Sequence, residues 1–234
     1  MLRYVRDKHA EECNADLLRR AMRVFHGFEH LPHFVHPAVT VGSYDGVHRG
    51  HRALIERLVA EARAQGGESI VLTFEPHPRI TLGRAEGLRL LTTFEEKVAL
   101  LAELGVDNVI VIPFDRAFSA LSGREFVERC LIGRVGAETL VAGYNHRFGH
   151  DGVACDAPEL ASRLRVVKVG ACTIDGVRVS STAIRRLLEA GERAAAEHLA
   201  GHPLPEHAPI AATPETAEKE YTGLEGGKNG STRS

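Results

Sequence analysis

The chain has no tryptophan, only two methionines and few aromatic side chains, and its four cysteines, Cys13, Cys130, Cys155 and Cys172, form no C-x-x-C pair. That pattern excludes a cysteine-pair zinc site and a dithiol redox motif, and a reducing cytoplasm is the expected location. No apolar run reaches the roughly 18 residues a membrane helix needs, and no signal peptide is recognisable, so no membrane partner is expected. Basic residues are not in excess either: 29 Lys and Arg face 31 Asp and Glu. Without a general basic field, nucleic acid is not an expected partner, and any phosphate must be held by individually placed groups.

What is present fits one α/β unit. A length of 234 residues allows a buried core of about 150 to 200 residues plus tails. The expected division is an N-terminal extension over 1–24 with a weak helical pattern (Leu17, Leu18, Met22), one domain over 25–203, and a disordered tail over 204–234, rich in proline and then glycine. From Ala38 onward, strand-like runs at 39–41, 69–74, 108–112 and 139–142 alternate with helical patterns at 52–64, 94–104 and 123–133. This is the rhythm of a doubly wound parallel sheet, which binds ligands outside the carboxyl ends of its strands. Thr93-Phe-Glu-Glu96 and Ser122-Gly-Arg-Glu125 read as capping boxes at two helix starts. Runs at 165–169 and 172–179, with an Asp175-Gly176 turn, predict a closing hairpin or edge segment before a helix from Thr182.

The most informative stretch is Val39-Thr-Val-Gly-Ser-Tyr-Asp-Gly-Val-His-Arg-Gly-His51. It joins a strand to a helix through Gly42, Gly46 and Gly50, and it sets His48 and His51 at the helix N-terminus, where free N–H groups and the helix dipole attract anions. Gly42 and Gly46 would let the backbone approach a ligand closely. The spacing is neither G-x-G-x-x-G nor G-x-x-x-x-G-K-[ST], and the cysteines offer no partner for a zinc pair at His48 and His51. The H-x-G-H signature after a strand resembles nucleotidyltransferases that move a nucleoside monophosphate from a triphosphate onto an acceptor phosphate.

Further segments fall where such a site would need them. Phe74-Glu-Pro-His-Pro-Arg79 ends the second strand, with His77 held between two prolines; an exposed rigid loop would read the same way. Gly143-Tyr-Asn-His-Arg-Phe-Gly149 follows the fourth strand and supplies rings (Tyr144, Phe148), an amide (Asn145) and a guanidinium (Arg147) suited to an aromatic phosphate ester; taken alone, a polar loop with a satisfied Asn145 explains it equally well. Val179-Ser-Ser-Thr-Ala-Ile-Arg185 offers hydroxyls at a helix start and an arginine one turn inside; capping accounts for one hydroxyl, not for all three and Arg185. Leu90-Leu-Thr-Thr-Phe-Glu-Glu-Lys97 reads mainly as a helix start, with Thr92 and Thr93 able to border a pocket.

Together, over about 24–203, these segments resemble the adenylyltransferase module of the bacterial bifunctional riboflavin kinase/FAD synthetases. The resemblance implies a Rossmann-like fold of the H-x-G-H type and transfer of AMP from ATP to FMN with Mg²⁺, giving FAD and pyrophosphate. It implies contacts to ATP from Gly42, Ser43, Tyr44, Asp45, Gly46, His48, His51, Ser180, Ser181, Thr182 and Arg185. It also implies contacts to FMN from Phe74, His77, Pro78, Tyr144, Asn145, Arg147 and Phe148. His48, His51, Asn145 and Arg185 would be catalytic, and Asn145 would help hold the metal, partly through phosphates. Ser43 stands where the family more often has Asn or Thr, Tyr44 replaces a frequent Phe, and Asn145-His146 stands where Asp-His or Asn-Phe is common. No kinase motif of the Gly-Phe-Pro-Thr-Ala-Asn type occurs in 204–234, so riboflavin phosphorylation is not expected. Alternatives are an H-x-G-H enzyme with another acceptor, such as phosphopantetheine or nicotinamide mononucleotide, and a catalytically weak flavin- or nucleotide-binding protein.

Overall fold

The computed structural model describes residues 21–85 and 88–206. In chain order the elements are β1 (Arg23–His26), β2 (Ala38–Val41), α1 (Arg49–Ala64), β3 (Ser69–Glu75), α2 (Pro78–Thr81), α3 (Phe94–Glu103), β4 (Asn108–Pro113), α4 (Arg116–Ser119) and α5 (Gly123–Glu125). A π-helix, Phe126–Ile132, continues α5. Then come β5 (Thr139–Gly143), β6 (Arg147–Phe148), β7 (Val153–Ala154), α6 (Pro158–Ala161), β8 (Arg165–Val169), β9 (Thr173–Ile174), β10 (Val177–Arg178), α7 (Ser181–Glu189) and α8 (Arg193–Ala200).

Six of the strands form one parallel sheet in the order β1-β4-β3-β2-β5-β8. The near-continuous apolar runs follow from this arrangement, because parallel strands flanked by helices are buried on both faces. Along β3, Ile70 and Leu72 pack with Ile110, Leu140, Phe126 and Leu131 on one face. Val71 points to the other face, against Ile55, Leu58 and Ala62 of α1 and Leu101 of α3. Removing a fully buried side chain such as Leu58 from so dense a layer costs about 2–5 kcal/mol. A smaller cluster, Leu91, Val179, Ile184, Ala196 and Leu199, seats α7 and α8 beside the sheet.

Chain order reverses at β2: β3 and β4 lie on one side of it, β5 and β8 on the other. The crevice outside the carboxyl ends of β2 and β5 is therefore the place where such a sheet receives a ligand.

Several elements depart from the sequence reading. Arg23–His26 is an edge strand paired with β4, not the end of a helical extension, because the Arg23 guanidinium is anchored by Asn108 and Glu68 at 2.8 and 2.6 Å. The remainder of the expected extension, residues 1–20, and nearly all of the expected tail lie outside the described residues. The hairpin is confined to β9 and β10, whereas β8 closes the main sheet. Helix α1 starts at Arg49 rather than Arg52, since His48 caps it. Both capping boxes form, at Thr93 and at Ser122.

Candidate active site

The turn after β2 is built on left-handed backbone at Tyr44 (φ 49°), Gly46 (φ 80°) and Val47 (φ 30°). Gly46 is needed for two reasons: its φ suits glycine, and a Cβ there would meet Leu91 Cδ1 at 2.8 Å. A Cβ at Gly42 would meet the Tyr44 ring at 3.1 Å. These glycines thus make room for side chains of the protein itself, and Gly42 also lines the cleft. Tyr44 is buried, and its hydroxyl donates to Thr40 Oγ1 at 2.8 Å while Thr40 donates to the Val141 carbonyl at 2.7 Å. Burial pushes the Tyr44 phenol above its ordinary pKa.

Asp45 ties the turn to two other elements. Its Oδ1 accepts from the Leu91 N–H at 2.7 Å, and its Oδ2 is ion-paired with Arg185 of α7. Gly46 N–H donates to Thr92 Oγ1 at 3.1 Å, and Ser181 Oγ donates to the Asp45 carbonyl at 3.0 Å. From beyond α8, His202 Nε2 donates to the Gly46 carbonyl at 2.8 Å. Burial pushes the Asp45 carboxyl upward and the Arg185 guanidinium opposes that shift.

On the α1 side of the turn, His48 and His51 stack with ring centroids 3.6 Å apart and planes 13° from parallel. His48 Nδ1 accepts the His51 backbone N–H at 3.3 Å, so in the neutral ring the proton resides on Nε2. Burial lowers the His48 pKa to about 4, with the charges of His202 and Arg185 acting the same way. His51 is pushed well below its ordinary value, first by burial and then by His48 and Lys97, and its Nδ1 is buried without a partner. In the empty protein burial thus favours the neutral form of both rings.

A cleft of about 570 Å³ opens over these rings. Its walls are Gly42, Ser43 and Tyr44 from the turn, Phe74, His77 and Pro78 from the end of β3, Gly143–His146 from the end of β5, and Ser180, Ser181 and Thr182 from the start of α7. His77 caps α2 by accepting from the Arg79 N–H at 3.2 Å, and burial lowers its pKa to about 4, helped by Arg185, Lys97 and Arg79. Ser180 caps α7 through the Ala183 N–H at 3.1 Å. Thr182 is exposed in the cleft wall, as is Asn145.

Five of the sequence-derived residues, Asp45, Gly46, Arg147, Phe148 and Arg185, do not line this cleft. Asp45 is buried beneath the turn, and Arg185, paired with it and donating to the Arg89 carbonyl at 2.7 Å, borders a separate depression with Leu188 and Glu189. The helical spacing that places Arg185 one turn inside α7 also turns it toward the Asp45 carboxylate.

A second cavity of about 400 Å³ shares Val41, Phe74 and His146 with the cleft. Its other walls are largely apolar: Leu82, Phe114, Phe118, Leu121, Phe126 and Phe148. The rings form a continuous series: Phe74–Phe114 at 5.2 Å, Phe114–Phe118 at 5.7 Å and Phe118–Phe126 at 5.8 Å meet edge-on, and Phe126–Phe148 at 5.4 Å is tilted. Arg147 lines this cavity while donating to the Gly152 carbonyl at 2.8 Å. His146 forms the shared wall, its ring edge-on to Phe148 at 4.7 Å and its pKa lowered by burial to about 4. Tyr144 stands at the cleft mouth with the Arg178 guanidinium 5.3 Å from its ring centre.

Sequence reasoning missed Phe114, Phe118, Phe126 and His146. The signal was present in Phe114-Asp-Arg-Ala-Phe118, an i, i+4 ring pair directly after the carboxyl end of a strand.

Among the described residues no group of three or more His, Cys, Asp or Glu could hold a metal ion. The side chains of the cleft lining that carry oxygen are Ser43, Tyr44, Tyr144, Asn145, Ser180, Ser181 and Thr182, an amide and hydroxyls with no carboxylate among them. Such a set suits a hard cation that keeps most of its ligands from phosphate and water.

Comparison with known proteins agrees with this architecture. A family model described as FAD synthetase matches residues 33–183. The chain is 36% identical over 169 residues to the bifunctional riboflavin kinase/FMN adenylyltransferase of Escherichia coli (strain K12), covering 70% of this chain and 54% of that one. It is 35% identical over 173 residues to the protein of the same description from Listeria monocytogenes, covering 72% and 55%. The chain thus spans about half the length of these relatives. A crystal structure of a protein described as a macrolide-efflux protein from Streptococcus pneumoniae superposes with a TM-score of 0.71 at 25% identity, covering 78% of this chain and 63% of that one. The chain belongs to the FAD synthetase family.

Proposed function

We propose that the chain is an FMN adenylyltransferase: an oxygen of the FMN phosphate bonds to the α-phosphorus of ATP, the bond from that phosphorus to the bridging oxygen of the β-phosphate breaks, and FAD and pyrophosphate leave. The observation that carries this reading is the junction of the polar cleft with the phenylalanine-lined cavity at Val41, Phe74 and His146. An acceptor with a flat, apolar ring system and a phosphate at the other end fits that shape, with the rings among Phe114, Phe118 and Phe148 and the phosphate beside His48 and His51. The names carried by the Escherichia coli and Listeria monocytogenes relatives support the same assignment.

The acceptor needs no strong base, because a phosphate monoester with a second pKa near 6 is already a charged nucleophile at neutral pH. The obstacle is repulsion between anions. His48 Nε2–H, a ring N–H of His51, the backbone N–H groups at the starts of α1 and α7, and the Thr182 hydroxyl are donors that can take up the charge. Mg²⁺ would supply further charge neutralisation, held by Asn145 and substrate phosphates. Arg185 would serve by fixing the turn through Asp45. The catalytic unit we assign is 25–203, extended to take in β1; ATP and FMN are its small-molecule partners, and a cytoplasmic location fits its chemistry. No helix among the described residues is long and apolar enough to cross a membrane.

The test is product chromatography with ATP, Mg²⁺ and, separately, FMN, riboflavin, phosphopantetheine or nicotinamide mononucleotide. FAD from FMN, and no product from the other three, is the expected result. No product from FMN would return the chain to another acceptor or to a binding role.

A further inference from the structure

Lys97 is a buried charge beside this site for which the transfer chemistry above has no use. It sits in the first turns of α3, just after the Thr93 cap, where the positive end of the helix dipole disfavours a cation. Its side chain is only 8% exposed. Its ion pair is with Glu75 Oε2 at 3.9 Å, beyond hydrogen-bond distance, and its ammonium lies 5.9 Å from the centre of the Phe94 ring. A lysine this buried, this weakly paired and at this end of a helix carries a desolvation cost that local contacts do not offset. Violations of local rules of this kind concentrate at functional sites.

Its surroundings point in one direction. The positive charge of Lys97 is felt at His51 and His77, which line the cleft from two sides, and at Asp45 under the phosphate turn. Burial pushes the lysine's own pKa down, while the carboxylates of Glu75 and Asp45 push it back up. Glu75 ends β3 between two parts of the cleft lining, Phe74 and the His77-Pro78 segment, so the ion pair sets the buried ammonium at the carboxyl end of β3, behind that wall. The cleft in front of it is where a triphosphate and a phosphate monoester would have to be brought together.

We propose that Lys97 is a positioning residue of the transfer site, supplying from behind the cleft wall the positive potential that draws the phosphates together, at the expense of the empty protein's stability. The proposal rests on the phosphate cleft of the function proposed above. Its test uses pyrophosphate binding, so that the two can fail separately.

The experiment is calorimetric titration of the full 234-residue chain and of its Lys97→Met, Lys97→Arg and Glu75→Gln variants with magnesium pyrophosphate, alongside thermal melts of each without ligand. Lys97→Met is expected to melt at the same temperature as the parent or higher, and to bind pyrophosphate about tenfold more weakly, which is about 1.4 kcal/mol. Lys97→Arg is expected to recover most of that affinity, and Glu75→Gln to keep it. Unchanged affinity in Lys97→Met would overturn the proposal. So would a Lys97→Met chain that melts lower or does not fold, because the charge would then be structural. A parent chain that binds no pyrophosphate would overturn it as well. A parent that binds pyrophosphate with the expected loss in Lys97→Met, yet makes no FAD, would support Lys97 while removing FMN as the acceptor.

Discussion

Arg185 is ion-paired with Asp45 across the seam between the phosphate turn and helix α7, and both side chains are largely shielded from water, at 13% and 4% exposure. The arginine expected to contact ATP is thus occupied in fastening the phosphate turn to α7. Removing one partner leaves the other buried and uncompensated, which costs about 3–5 kcal/mol. Asp45→Asn and Arg185→Met should each lower the unfolding midpoint in urea, and the double variant should lose much less than the sum. Additive losses would mean that the pair is not coupled.

His51 should matter more to the rate than to binding of the acceptor. Its stacked, neutral ring lies against His48 at the helix start, where the donors face phosphate. Loss of one preorganised donor costs on the order of 10²–10³ in kcat. His51→Ala should lose that much turnover while its Kd for FMN, read from flavin fluorescence, changes little. Unchanged turnover would remove His51 from the catalytic set.

The depressed histidines make the empty protein sensitive to acid. For His48 the folded pKa is about 4 against 6.5 for the model imidazole. The unfolded chain therefore takes up a proton first as pH falls. The stabilisation is fully present above about pH 6.5 and is lost progressively down to about pH 4, at roughly 1.4 kcal/mol per pH unit at most. A His48→Asn variant should show a shallower decline of melting temperature between pH 6.5 and 5 than the parent. Parallel curves would show that His48 takes up its proton as readily in the fold as in the unfolded chain.

The apolar cavity should govern the acceptor alone. Phe118, in the wall of that cavity, meets Phe114 and Phe126 edge-on and Phe74 at a tilt. Phe118→Ala should weaken FMN by about 1–2 kcal/mol, roughly five- to thirtyfold, with the KM for ATP unchanged. An equal effect on ATP would place the flavin elsewhere.

The sheet was legible because its strands are short apolar runs separated by capped helices, a pattern that only a parallel, doubly covered sheet explains. The phosphate turn was legible because its residue types and their order are specific. What could not be read was direction. Arg185 and Asp45 each suit phosphate or metal chemistry, and only the packing of α7 against the turn shows that they meet each other. Gly42 and Gly46 suit close approach, and Tyr44 and Leu91 are what approach them. Strand β1 escaped notice because its four residues alternate between half-buried and exposed at the sheet edge. The phenylalanine cavity draws on four separate segments, which adjoin only once the carboxyl ends of β3, β4 and β5 are aligned.

The measurement that tests the account most directly is a crystal structure of the chain with FAD bound. The account predicts the adenosine in the cleft, the pyrophosphate bridge beside His48 and His51, and the isoalloxazine among Phe114, Phe118 and Phe148. An isoalloxazine lying outside that cavity, with the joined pockets empty, would contradict it.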